Sequence, residues 1–316
     1  MNSIKTQSGP SNQETKPMAP SKPRPRSQKD DFSGLKVTDV INQSKFVVYK
    51  AESPKSKKKF AMKVFPYKDG KINSCFHKES RFMGLLHKNI IAIHDVNPER
   101  TSICKEKLTT VSYIVMEYAP YGDLADFLMS PNYPNDATLA RTLFHEIVEG
   151  VEYIHKKGIA HLDLKPENML ISEDFGIKIT DFDAAIDIEK DDSIGPVGTK
   201  NYRAPEIINK EDSVDPFAAD IFSLGVILFL LKASIFPYCE ESKINEKQLL
   251  DYIKKGDKEF WKLHPAVNEA PEAFSDDFKE LFFGMTAGDP TKRYTLADIK
   301  KSKWYNKPIY KPHVLQ

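Results

Sequence analysis

The octapeptide His161-Leu162-Asp163-Leu164-Lys165-Pro166-Glu167-Asn168, followed by Asp181-Phe182-Asp183, constrains this chain more than any other feature. It gathers a carboxylate, a cation and oxygen donors suited to a hard metal ion. Transfer of a phosphoryl group asks for little covalent chemistry from a protein. It does ask for a carboxylate that positions the attacking hydroxyl and for ligands that neutralise nucleotide phosphates. A chance polar loop does not account for both segments in this order.

The two segments resemble the catalytic and metal-binding loops of eukaryotic-type protein kinases, whose signatures read H-R-D-L-x-x-x-N and D-F-G. The resemblance covers roughly residues 36 to 305 and is nearest to serine/threonine kinases of the calmodulin-dependent-kinase-like group. It implies an α+β fold of two lobes: a small β-rich lobe with one main helix (32–116) and a larger, mostly helical lobe (117–305). It also implies Asp163 at the catalytic-base position and Lys165 as the lysine that neutralises the transferred phosphate. Asn168 and Asp181 fall at the metal positions, with ATP and Mg2+ as cofactors and Mn2+ as an alternative metal. In the family His161 packs in a hydrophobic spine with Phe182, Met83 and Ile93, and is not a base.

The small lobe carries the nucleotide signals. Lys45 to Ala51 and Lys59 to Phe65 read as two strands joined by the basic, turn-rich Glu52 to Lys58. Phe60-Ala61-Met62-Lys63-Val64 resembles the V-A-I-K strand, which makes Lys63 the candidate phosphate ligand. Phe76 to Leu86 has helical periodicity and offers Glu79 as its partner. Asn97 to Thr110 reads as a polar surface loop. Tyr113 to Pro120 resembles the last strand of the lobe and the hinge. The resemblance then places Met116 as gatekeeper, the backbone of Glu117 and Ala119 against the adenine edge, and Val48, Ala61 and Leu170 around the base.

Three departures from the family pattern stand out. With Val48 to Ala51 aligned, Ile41, Gln43 and Phe46 occupy the places of the three glycines of G-x-G-x-x-G. Glycine permits close backbone approach to phosphate, so side chains there are expected to hold the loop off or force another conformation. Ser44 and Lys45 are either compensating phosphate ligands or exposed loop residues. Leu162 replaces the arginine that pairs with a phosphorylated activation loop, and the segment after Phe182 is acidic, with Asp187, Glu189, Asp191 and Asp192. Activity independent of phosphorylation at Ser193 is therefore expected. Asp183 replaces the third residue of D-F-G and is read either as a second carboxylate near the metal or as a solvent-facing side chain.

In the large lobe, Leu139, Leu143, Ile147, Val151 and Ile154 form a helical stripe that ends at Gly158. Gly198 to Glu206 resembles the substrate-docking loop ending in A-P-E, and Thr199 with Lys165 favours serine or threonine as acceptor. By the same resemblance Glu206 pairs with Arg293, and Asp220 bonds the catalytic-loop backbone. Asp220 to Phe229 is apolar nearly all round, as in a buried helix. Asp123 and Glu167 stand where basic-directed kinases meet an arginine upstream of the phosphoacceptor.

Composition sets the remaining expectations. A net charge of +1 gives no global field to recruit nucleic acid or an anionic bilayer. Three scattered cysteines without metal-ligand spacing fit a reducing cytoplasm or nucleus. Residues 1–31 are Ser/Pro-rich and basic and read as a disordered tail, whose Pro20 to Arg26 has P-x-x-P spacing that could bind a partner. Residues 306–316 read as a short C-terminal tail. The resulting expectation is a serine/threonine protein kinase acting on protein substrates, with basic residues upstream of the acceptor as a candidate preference. A weak or inactive nucleotide-binding scaffold is the alternative.

Overall fold

The computed structural model describes residues 31–311, apart from 33, 105–106, 135, 192–194, 196, 212–213 and 239–245. The Pro-rich segment 20–26 and Ser193 lie outside the described residues.

Period-two alternation organises the small lobe. Strands β1 (Asp31–Phe32), β2 (Leu35–Gln43), β3 (Val47–Glu52), β4 (Lys59–Pro66), β5 (Ile93–Cys104) and β6 (Lys107–Glu117) form one antiparallel sheet in the order β1-β2-β3-β4-β6-β5. Side chains along a strand point to opposite faces in turn. In β4 this separates Ala61 and Phe65, which join a cluster with Phe46, Phe76, Ile91, Ile114 and Met116, from Met62, which packs with Val111, Tyr113 and Val115. Lys63 shares the face of Ala61 and Phe65 and therefore points to the same side as the cluster around Met116.

The stretch Asn97 to Thr110 is not a loop. Thr101↔Thr110, Ser102↔Thr109, Ile103↔Leu108 and Cys104↔Lys107 continue the β5–β6 ladder as a long hairpin, interrupted by an irregularity between Asn97 and Arg100. The stretch lacks the regular period-two alternation that marks a strand in sequence, so the pairing is not announced there.

Helix α1 (Ser74–Ser80) is shorter than the periodicity predicts. It is capped by Asn73, whose side chain accepts from Cys75 N, and the chain leaves the helix at Arg81. The exit rotates the following residues, so that Phe82 and Leu85 are buried while Met83 and Leu86 are 48% and 74% exposed.

The large lobe is built on two helices. After α2 (Leu124–Met129), α3 (Ala137–His155) buries the whole expected stripe, and α5 (Pro216–Ala233), which follows the short α4 (Pro205–Asn209), is buried almost all round. α5 is long and apolar enough to cross a membrane by composition, but 83% of it is buried among the other helices. The chain beyond Trp304 lies along α3, where Arg141 donates to the carbonyls of Trp304 and Pro308.

Glu206 of α4 and Arg293 form a fully buried two-pronged ion pair, with contacts of 2.6 and 3.0 Å, and Arg293 also donates to the Ala218 carbonyl. Removing one partner strands a charge in the core. Glu206→Ala is expected to lose ~3–5 kcal/mol in denaturant unfolding, whereas Lys156→Ala at an exposed ion pair should cost at most ~1 kcal/mol. Equal losses would contradict the assignment.

Candidate active site

The catalytic loop is held from below by α5. Asp220 accepts the backbone amides of His161 and Leu162, both at 2.8 Å, and also bonds His155 Nε2. Leu162 takes left-handed backbone (φ 59°) to present its amide, and Gly198 lies so close that a Cβ there would fall 2.4 Å from the Leu162 carbonyl oxygen. A side chain at 198 would push Thr199 away from Asp163.

His161 Nε2 bonds the Thr180 carbonyl, so that nitrogen carries the proton; Nδ1 then accepts from Asp163 N. Both nitrogens are used in structure. Phe182 packs against the His161 ring (centroids 5.0 Å apart) and against Phe82 at 5.4 Å. Phe82 thus takes the spine position expected of Met83, because the helix ends a turn earlier than its periodicity suggests. Ile93 packs with the small-lobe cluster.

Four groups converge on the Asp163 carboxylate. Thr199 donates its amide and its hydroxyl to Oδ1, both at 2.7 Å; Lys165 Nζ lies 3.0 Å from Oδ2, and Asn168 donates to Oδ2 and to the Asp163 carbonyl. Lys165 also donates to the Thr199 hydroxyl at 2.7 Å. The hydroxyl of Thr199 therefore marks a place where an alcohol meets a carboxylate and an ammonium together.

Lys63 forms the other half of the site. Its ammonium lies 2.6 Å from Glu79 Oε2 and 2.7 Å from Asp181 Oδ1. Burial opposes the Lys63 charge, but Glu79 and Asp181 outweigh it and hold the amine above its ordinary range. Burial pushes the Glu79 carboxyl up to about 7, against the pull of Lys63. Asp181 takes left-handed backbone (φ 63°), and the Thr180 amide bonds the Asn168 carbonyl, so the two expected metal residues are adjacent.

Ala61 and Met116 are buried in one apolar cluster against which Val48 and Leu170 pack, and this gathers every residue expected around the base. Glu117 ends β6 with its side chain engaged by Lys178 at 2.9 Å, and Ala119 follows at the crossing between the lobes.

Asp183 pairs with Lys45 at 2.6 Å, since the glycine-free turn brings an ammonium within its reach. Phe46 folds into the core beneath that turn, 4.6 Å from Phe65. The acidic segment after Phe182 has a partner that the sequence reading missed. Arg81 meets both oxygens of Asp191, at 2.9 and 2.7 Å, and the Ala185 carbonyl. Its guanidinium holds the Asp191 carboxyl below the ordinary range. A basic residue two places after Glu79 facing an acidic run was the available signal, but the separation of 110 residues hid it. Asp123 accepts from Asp126 N and caps α2.

Fold and site together define a two-lobed protein kinase domain. The protein kinase domain family model matches residues 44–305, and the chain belongs to that family. It is similar to CBL-interacting protein kinase 26 of Oryza sativa subsp. japonica, with 32% identity over 225 residues, 70% of this chain and 41% of that protein. CBL-interacting protein kinase 5 of the same species is 31% identical over 285 residues, 87% of this chain and 56% of that protein. CBL-interacting serine/threonine-protein kinase 8 of Arabidopsis thaliana is 32% identical over 223 residues, 70% of this chain and 45% of that protein. The chain spans about half the length of these relatives.

The family uses ATP with a divalent metal, and the residues present fit that pair. Among the described residues no cluster of three His, Cys, Asp or Glu side chains could hold a metal by itself. One amide and one carboxylate, Asn168 and Asp181, suit a small hard cation completed by phosphate oxygens and water. The apolar walls and Lys63 suit a base and its phosphates.

A raised Glu79 pKa means that the folded chain keeps a proton that the unfolded chain has lost between about 4.5 and 7. Stability from this group is therefore present below 4.5 and lost as pH rises through 7. Glu79→Gln should remove the decline in stability across that window, whatever fixed cost the weakened contact with Lys63 adds, so its stability relative to the parent chain should rise from pH 5 to 7, read from urea unfolding at pH 5, 6 and 7. A constant difference would refute the assignment.

Proposed function

We propose that this chain is an ATP- and magnesium-dependent serine/threonine protein kinase that transfers the γ-phosphate of ATP to protein hydroxyls, with Mn2+ an acceptable substitute. The observation that carries this reading is the contact of Asp163 and Lys165 with the Thr199 hydroxyl. Asp163 orients an acceptor hydroxyl and takes its proton, while Lys165 offsets negative charge at the reacting oxygens. Lys63, fixed by Glu79, holds phosphate, and Asn168 and Asp181 hold the metal. The bound metal supplies charge neutralisation along the phosphates. Val48, Ala61 and Leu170 hold the base, with the Glu117 carbonyl and Ala119 amide at its edge.

A cleft of about 680 Å3 beside this centre is lined by Glu167, Leu128, Met129, Tyr202, Leu230 and Phe236. Its carboxylate, beside the Lys200 that also lines it, supports protein substrates with a basic residue upstream of the acceptor, with Asp123, which caps α2 through the Asp126 amide, as the second candidate contact. The relatives' names refer to CBL and one of them to serine/threonine chemistry; only the latter is carried over to this chain. The relatives, all named as protein kinases, give the inactive scaffold no support. We also propose a cytoplasmic or nuclear setting, on the scattered cysteines, which a fluorescent fusion tests directly.

Transfer from γ-labelled ATP to a basic protein or to the chain itself should occur with magnesium or manganese. Asp163→Ala should lower it by about 10²–10⁴-fold while the fold survives; undiminished transfer would sink the reading. Because Asp191 already holds Arg81, phosphatase treatment should leave the rate unchanged, and Asp191→Ala should lower it. A phosphatase-sensitive rate would contradict this.

A further inference from the structure

The turn between β2 and β3 lies where a kinase's glycine loop covers phosphates, yet it carries no glycine. Its backbone is fixed from two sides. Asn42 Oδ1 accepts the Ser44 amide at 2.8 Å, and Phe46 is buried in the cluster that contains Ala61 and Met116. Lys45, between them, is 62% exposed at its side chain, and its ammonium lies 5.3 Å from the Phe46 ring centre. The Lys63 ammonium lies 5.7 Å from the centre of the same ring.

Each of these two ammonium groups is held by one carboxylate of Asp181-Phe182-Asp183: Lys63 by Asp181 at 2.7 Å and Lys45 by Asp183 at 2.6 Å. Two cations thus gather over one aromatic ring, beside the metal residues, in a lobe whose glycine loop cannot supply a close row of backbone amides. Resting on the nucleotide site proposed above, we propose that Lys45 is a phosphate-binding residue, parked on Asp183 and transferred to the terminal phosphates when ATP binds. A lysine is a compact charge on a flexible stem and suits such a swing. An ion pair with one exposed partner is weakly held, so exchanging one carboxylate for a polyanion costs little.

The test is calorimetric binding of magnesium-ATP and of adenosine to the full chain, to Lys45→Met, which keeps the aliphatic stem, to Lys45→Arg and to Asp183→Asn. Lys45→Met should weaken ATP by about tenfold and leave adenosine within about twofold. Lys45→Arg should restore most of the ATP affinity, and Asp183→Asn, which frees the ammonium, should bind ATP at least as tightly as the parent. ATP affinity unchanged in Lys45→Met overturns the proposal. So does an equal loss for adenosine, which would make Lys45 structural, or a loss in Asp183→Asn matching that in Lys45→Met, which would make the pair a clasp between lobes. A parent chain that binds adenosine but not ATP overturns the proposal alone; one that binds neither overturns the nucleotide site as well.

Discussion

The buried ammonium of Lys63, shared between Glu79 and Asp181, is the interaction on which the rest of the site depends. Each of the three residues comes from a different element: a sheet strand, the small-lobe helix and the metal loop. A charge taken out of water is tolerated only where its partners are in place, so this one position fixes the three elements relative to each other. The register of β4 makes it possible, because the alternation that buries Ala61 and Phe65 also points Lys63 to the cleft side. Two residues beyond Glu79, Arg81 extends the same link to the segment after Phe182.

The large lobe answers with a second anchor. Asp220 on the buried helix α5 holds the backbone of residues 161 and 162, and the loop that follows can then face Asp163 towards Thr199. The spine from Phe82 through Phe182 to His161 joins the two anchors by apolar contact. Charge provides direction at the site, and packing holds the charged residues still.

Much of this was legible in the sequence, and for identifiable reasons. Asp163, Lys165, Asn168 and Asp181 lie close along the chain in motifs whose chemistry is local, and the α3 stripe follows helical period over 16 residues. Lys63 and Glu79 were legible because a strand and a helix each carry a periodic signature around them. What was not legible depends on backbone direction or on distant partners. The early end of α1 exchanges Met83 for Phe82, and no periodicity announces it. The β5–β6 extension lacks a regular period-two alternation in its sequence. The Lys45–Asp183 and Arg81–Asp191 pairs join residues more than a hundred positions apart, and a charge in sequence does not say which opposite charge it will meet.

Where the family pattern has glycine, the structure offers packing or charge instead, with Phe46 in the core and Asp183 on Lys45, and in the acidic segment after Phe182 Asp191 pairs with Arg81. We infer that these substitutions leave one assembled nucleotide site. The most direct measurement is a crystal structure of the unphosphorylated chain with magnesium and a non-transferable ATP analogue. Metal is expected on Asn168 and Asp181, phosphate on Lys63, and the Lys63–Glu79 contact intact. A structure in which that contact is broken, or in which the phosphates lie away from Lys63, would contradict it.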